Sequence, residues 1–559
     1  MALNATDYAV ISQAIAAAAR EMGEKLIRSA FSTILREARD GSAALLDRDG
    51  ATIAQAELIP MQLGTIGSVF QSCAKAHDLD ALTEDDFFII NDPYSGGQHL
   101  QDIFFFSPIF HEGVRVGFAA SVAHHLDIGG GAPGLSPNAR DVHSEGIIIP
   151  PMKFSYSRDW NGGVVEQFLR ANVRAPLQTM GDCDAQIAAN KVGARRLIEL
   201  CAKYGAETVM AVMREFQDYS ERRFRVGIAA APDGVYHGED FIDDDGIDDA
   251  PVRVRSTVTI KGDRIRVDYE GTDQQVRSFM NAPLAATMSA TLSCVKSVLT
   301  SPDIPFNAGV NRAVEINVPK GSILNPRYPA PVRARMNICY RAFNATMKAL
   351  AQAVPERVIA CGFDTTTSGC LSWLGDKGYS VYLEIYGGGY GASATANGCD
   401  AIDMPMANCA NTPVEAIDQD YSFFRVEEYA LEPDAYGHGA HRGGAGFVKA
   451  FRILKDGAQV ALYSDRFRST PDPLFGGTPG TTGSCEIRRG DQVIRLGSKD
   501  MRELQKGDLV VFRLGGGGGY GDPGTRALGE IQADIDNGML SIETARKFYP
   551  QYAAGTGAN

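Results

Sequence analysis

The sequence predicts a mixed α+β fold made of several strand-rich units and long helices that interlock instead of following one another like beads. Three observations carry that expectation. Amphipathic helical patterns alternate along the chain with runs rich in β-branched and aromatic residues. Sixty glycines, many in clusters such as "YGGGYGASATANGCDA" and "RLGGGGGYGDPG", imply either left-handed loop positions or backbone packed tightly on a neighbour. The 559 residues exceed what one core holds, yet no repeat of fixed period and no low-complexity linker divides them.

Taken in order, Ile11, Ile15, Ala18, Met22 and Leu26 recur at steps of three and four. This predicts one amphipathic helix over about residues 7–35, with Asp40 of "LREARDGS" just beyond its end. The runs "DDFFIINDPY", "DIFFFSPIF" and "VRVGFAASVAHHLDIGGG" are strand-like and punctuated by Asp-Pro and glycine groups, so His99, Asp102, His124 and His125 belong at strand ends or in loops. "NVRAPLQTMGDCDAQIAANKVGARRLIELCAKYG" returns to a helical period, with Ile187, Val192, Leu197 and Leu200 toward a core and Gln186, Asn190 and Arg195 on a polar side. An N-terminal domain, residues 1–225, is expected to close here.

A strand-rich middle domain, 226–332, opens with "VRVRSTVTIKGDRIRVDYEG", which reads as a hairpin about Lys261-Gly262-Asp263. A mixed glycine-rich domain, 333–520, begins with the helical "ARMNICYRAFNATMKALAQAVP", stopped by Pro355. Further hairpin-like pairs surround Lys455-Asp456-Gly457 and Arg489-Gly490-Asp491, and "RLGGGGGYGDPG" reads as a turn scaffold. The tail, 521–559, reads as two short helices about Asn537-Gly538.

Composition narrows the function classes. Fifty-four basic against sixty-eight acidic residues leave a net charge of −14, the wrong balance for a phosphate-neutralising surface, so neither nucleic acid nor an anionic membrane is an expected partner. The N-terminus lacks the basic and apolar regions of a signal peptide, and no apolar run is long enough to span a bilayer. Ten cysteines form no CxxC pair, and several sit in apolar contexts such as "TLSCVKSVL", as reduced core thiols do. A cytoplasmic protein is the expectation. No G-x-S-x-G nucleophile turn and no G-x-x-x-x-G-K-[ST] phosphate loop occurs.

Five of the nine histidines, His99, His111, His124, His125 and His143, crowd into 45 residues. His99 and Asp102 form a local pair of the kind that, held at rigid strand ends, ligates a divalent cation. His124 or His125, with Asp40, would complete the donor set; strand parity allows only one of the adjacent histidines on the pair's side but does not choose it. The plain alternative is a set of loop caps and a polar patch.

The ordered series "REARDGSAALLD", "NDPYSGGQHLQD", "AHHLDIGG", "SEGIIIPPMKF", "ANVRAPLQTMGDCDAQIAAN", "GTDQQVRSFMNAP", "YGGGYGA" and "GGGGGYGDP" resembles the hydantoinase B/oxoprolinase family from about residue 4 to residue 550. The resemblance implies a subunit that works beside a hydantoinase A-type ATPase subunit. That partner binds ATP and Mg, while this chain holds a divalent metal, zinc or manganese, and the pair hydrolyses a cyclic amide such as a hydantoin, 5-oxoproline or a lactam. Carried over by position, the metal ligands are His99, Asp102, His124 and Asp40, which resolves the parity question in favour of His124. The family run is usually Arg-Asp-Phe-Ser or similar, whereas this chain has Arg39-Asp40-Gly41-Ser42. Asp127 and Glu145 are the carboxylates expected to shuttle protons or support the metal. Two other readings fit the resemblance: a subunit of an ATP-dependent ketone carboxylase, and a non-catalytic scaffold for the ATPase.

Overall fold

The computed structural model describes residues 4–403 and 405–555. The chain divides into two compact units, one built from residues up to 238 together with 254–346, the other from 239–253 together with the chain from 347 on. The expected segments 1–225 and most of 226–332 thus share the first unit, and most of 333–520 shares the second with the tail. Residues 239–253 belong to one unit although both flanks belong to the other, as expected of a chain without linkers.

The first unit is organised by a six-stranded antiparallel sheet, with strands β1 (Gly41–Leu46), β2 (Thr52–Gln55), β3 (Asp86–Ile90), β4 (Asp102–His111), β5 (Val114–His124) and β6 (Met152–Ser155) in the order β2-β1-β5-β4-β3-β6. Both faces are covered, so β1 is buried at every position and the strands read as continuous apolar runs. On one face, Ala43, Leu45, Val116, Ala119 and Ala123 pack under the helices Ala5–Ser29 and Pro176–Tyr204. On the other, Ala44, Phe104, Phe106, Phe118 and Val122 pack with Phe70 of the helix Ile66–Ala76, whose ring lies 5.4 Å from that of Phe106.

The first helix ends earlier than its period suggests. It stops at Ser29, and Ser32 caps a separate turn, Thr33–Arg36, because Asp182 draws the backbone N–H groups of Phe31 and Ser32 out of the helix, at 2.7 and 3.1 Å. The long helix also differs from its expected faces. Gln186 and Asn190 are fully buried against the sheet, donating to the carbonyls of Ile103 at 2.8 Å and Phe105 at 3.1 Å. A polar side chain is stable there because it satisfies carbonyls in an apolar layer.

The Lys261–Arg264 hairpin forms as expected, joining Val252–Lys261 to Arg264–Asp268. In the second unit, Arg489-Gly490-Asp491 also turns a paired hairpin, from Ser484–Arg489 to Gln492–Leu496. Lys455-Asp456-Gly457 does not: it links Phe447–Ile453 in a five-stranded sheet to Ala458–Tyr463 in a separate four-stranded one. Turn residues specify that the chain reverses, not that its two arms pair. The glycine run 515–519 is likewise no turn. A Cβ on Gly517 would fall 2.0 Å from the Tyr390 carbonyl oxygen, and one on Gly389 would fall 1.8 Å from that of Gly444. Extended glycine backbones pack there directly, with Gly517 N donating to Gly444 O at 2.9 Å and Gly437 N to Gly517 O at 2.8 Å. The tail forms the expected helices Leu528–Asp536 and Ile542–Phe548, followed by Pro550–Gly555. Among the described residues no helix is long and apolar enough to cross a membrane.

Candidate metal centre

Three neighbouring strands of the first sheet bring their ends together at one edge. Asp102 opens β4 and pairs in register with His124, which closes β5. Asp40 precedes β1, and its carbonyl accepts from His124 N at 3.0 Å, so the three residues lie side by side across the sheet. Counting back by twos puts Asp40 with Ala44, Asp102 with Phe104 and His124 with Val122, all on the Phe70 face. His99 joins from the turn before β4, where its carbonyl accepts from Asp102 N at 3.2 Å. At Gly41, the departure from the family run, a Cβ would lie 2.6 Å from Leu35 Cδ1, so a larger residue there needs the Leu35 side chain to shift.

The side chains converge. Donor atoms of His99, Asp102 and His124 all lie within 4.8 Å of one another. His99 Nε2 is 3.3 Å from Asp102 Oδ2, while His124 Nδ1 is 3.5 Å from Asp40 Oδ2 and 3.8 Å from Asp102 Oδ1. Gln62 clamps the two carboxylates from above, its amide donating to Asp40 Oδ1 at 2.9 Å and to Asp102 Oδ1 at 3.2 Å. Arg335 reaches in from the start of helix Arg335–Leu350 and donates to Asp102 Oδ2 at 3.0 Å and Gln98 Oε1 at 3.1 Å. All four expected ligands are buried.

Burial, reinforced by the nearby Arg335 charge, lowers the His99 pKa to about 3; burial with the His99 and Arg333 charges also holds His124 well below its usual value. Both imidazoles are therefore neutral, as metal ligation requires. Burial opposes ionisation of Asp102, but His99 and the Arg335 guanidinium outweigh it and keep the carboxylate charged. Two neutral imidazoles and two carboxylates, with His99 Nε2 and His124 Nε2 engaged in no hydrogen bond, fit a divalent cation.

His125, one residue on, faces the opposite way. It is fully buried and pairs through Nε2 with Gln186 Oε1 at 3.0 Å, beneath the long helix.

The hydantoinase B/oxoprolinase profile matches residues 4–523. The chain belongs to the hydantoinase B/oxoprolinase family. It is 34% identical to the B component of a putative D-/L-hydantoinase of Pseudomonas sp. (strain NS671), over 94% of this chain and 91% of that protein. It is 30% identical to the beta component of the caprolactamase of Pseudomonas jessenii, over 98% and 96% of the two chains. The crystal structure of the ATP-dependent caprolactamase from Pseudomonas jessenii superposes with a TM-score of 0.89 at 28% identity, covering 98% of this chain and 96% of that one. The resemblance read from the motifs and the mixed α+β architecture are both shown by these matches.

In this hydantoinase B family chain, the two carboxylates expected to shuttle protons or support the metal both accept from backbone N–H groups. Asp127 accepts from Gly129 N, Gly134 N and Arg174 N at 2.8–3.1 Å and from the Arg174 guanidinium at 3.2 Å, which makes it the organiser of the loop after β5. Glu145 accepts from Val332 N and Arg333 N at 2.7–3.0 Å, and the Arg333 carbonyl in turn lies 3.3 Å from His99 Nδ1. Burial pushes Glu145 up to about 8 against the pull of those amides. Its place is thus behind His99, bracing the segment that orients the ring. Gln62, Gln98 and Arg335 were not legible as site residues. Gln98 sits inside "SGGQHLQD" beside His99, which was a signal, whereas Gln62 and Arg335 come from segments with no motif of their own.

Proposed function

We propose that this chain is the metal-holding hydrolytic subunit of an ATP-dependent cyclic amidase, acting on a hydantoin, 5-oxoproline or lactam that a hydantoinase A-type ATPase subunit has activated. The observation that carries the reading is the convergence of His99, Asp102 and His124 within 4.8 Å, with Asp40 alongside, in a member of this family. The names of its relatives, one the B component of a hydantoinase and the other the beta component of a caprolactamase, support a partner chain. Zinc or manganese suits the mixed imidazole and carboxylate donors.

A resting cyclic amide resists water because its carbonyl is resonance-stabilised, which is why the reading assigns ATP-dependent activation to the partner. When bound, the divalent cation supplies Lewis acidity to a water and to the substrate oxygen. The chain's own residues do the rest. Asp40 and Asp102 supply carboxylate oxygens at the site, Gln62 fixes the spacing of those two side chains, and neutral His99 and His124 each carry one ring lone pair to offer a cation. The buried setting excludes bulk water.

The test is elemental analysis of purified variants together with ring opening and ADP release by the chain alone and with its ATPase partner. His99→Ala and Asp102→Asn are expected to lose most zinc or manganese and nearly all ring opening, Asp40→Asn to fall between them and wild type, and His125→Ala to keep its metal. The chain alone should turn over neither ATP nor cyclic amide. Full metal in His99→Ala, or bicarbonate-dependent consumption of a ketone in place of ring opening, would overturn the reading.

A further inference from the structure

His99 Nδ1 has two neighbours that make opposite demands. The Arg333 carbonyl, 3.3 Å away, accepts a hydrogen bond and so requires a proton on Nδ1. Arg335 Nη1, 3.1 Å away, only donates and so requires a lone pair there. A neutral imidazole carries one N–H and satisfies one neighbour at a time. With the lone pair on Nδ1, the proton sits on Nε2, facing Asp102 Oδ2 at 3.3 Å. With the proton on Nδ1, bonded to Arg333, the Nε2 lone pair is free for a cation. The ring is neutral in both arrangements, so the proton changes nitrogen and none is released.

Arg335 favours the first arrangement, and it does more. It is about 5% exposed, its Nε has no hydrogen-bond partner, and its second amino group holds Asp102 Oδ2 at 3.0 Å. One guanidinium therefore holds an Asp102 oxygen that a divalent ion would use and, by donating to Nδ1, keeps the proton on the Nε2 that the ion would need. We propose that Arg335 is a positioning residue that stands in for the cation: it stabilises the metal-free centre and must release His99 when metal enters. This rests on the metal-centre reading above. An ordinary supporting residue orients the ligands, and its removal weakens metal binding. A stand-in predicts the opposite sign, because removing it takes away both a competing hydrogen bond and a like charge.

The test is competition of the purified full chain against a chelator for zinc and manganese, with 15N NMR of histidine-labelled protein. Arg335→Met is expected to bind metal tighter than wild type, by about tenfold from the loss of a like charge, and its metal-free form to unfold at lower urea. Arg335→Lys, which keeps a charge beside Asp102 but lacks the fork, should also fold and gain affinity, by less than Arg335→Met. In wild type, the His99 signal should move from the Nε2–H to the Nδ1–H tautomer as metal is added. Unchanged or weaker metal binding in folded Arg335→Lys, or a metal-free His99 already in the Nδ1–H form, overturns the stand-in while leaving the metal centre intact. No metal on wild type overturns both.

Discussion

His124 and His125 differ by one position along β5 and by everything around them. One closes the strand beside Asp40 and Asp102, the other is sealed under Gln186, because successive residues of a strand face opposite sides. The neutral state of the first has a consequence for stability. His99 and His124 have folded pKa values below that of an unfolded histidine, so the unfolded chain binds more protons as pH falls. Stability is therefore complete above about pH 6.5 and declines as pH falls toward the folded value of about 3 for His99. The low pKa of Asp102 adds loss in the same direction at more acid pH. The expected slope is up to about 1.4 kcal/mol per pH unit for each histidine. Urea midpoints of metal-free protein at pH 7.5 and 5.0 check it: the drop should shrink in His124→Asn, and an equal drop in that variant would contradict the assignment.

At the scale of elements, the His99, Asp102, His124 and Asp40 side chains cluster because the order β1-β5-β4 sets three strand ends in a row, and because one register gives them one face. A slip of one residue would turn Asp102 or His124 into the apolar layer on the other side. The glycine segments of the second unit are held by a different constraint, the absence of space for any side chain. Gly517→Ala would force a methyl to within 2.0 Å of the Tyr390 carbonyl and should cost about 3 kcal/mol or more. Gly529→Ala, in the helix Leu528–Asp536 with nothing within 4 Å of the added methyl, should be neutral or stabilising by up to about 1 kcal/mol. Urea denaturation of the two variants beside wild type is the check, and similar midpoints would mean that the glycine backbones are not in contact.

For the whole molecule, the centre ties together chain segments that are far apart in sequence but lie in one compact unit, around residues 40, 62, 98–102, 124 and 333–335. A cation bound only by the folded chain would stabilise that arrangement, by about 2.7 kcal/mol when its free concentration is a hundred times the dissociation constant. Adding zinc or manganese to metal-free wild type should raise its melting temperature, with no rise for His99→Ala. An equal rise in both would point to binding elsewhere.

By itself, the sequence determined the class of the fold, the helices and strands, and the local pair of His99 and Asp102, since periodicity and a three-residue spacing are properties of neighbouring residues. The ordered motifs determined the family, and through it the expectation of His124 over His125. Only the tertiary structure decided what surrounds them: Gln62 clamping two carboxylates from 22 and 40 residues away, and Arg335 reaching Asp102 across 233. It also decided that Asp127 and Glu145 brace backbone, that Gln186 and Asn190 face inward, and that the glycine run is packed backbone. Periodicity records that a face is buried, but the partner that buries it is chosen by long-range packing and hydrogen bonding, which leave no local pattern in the chain.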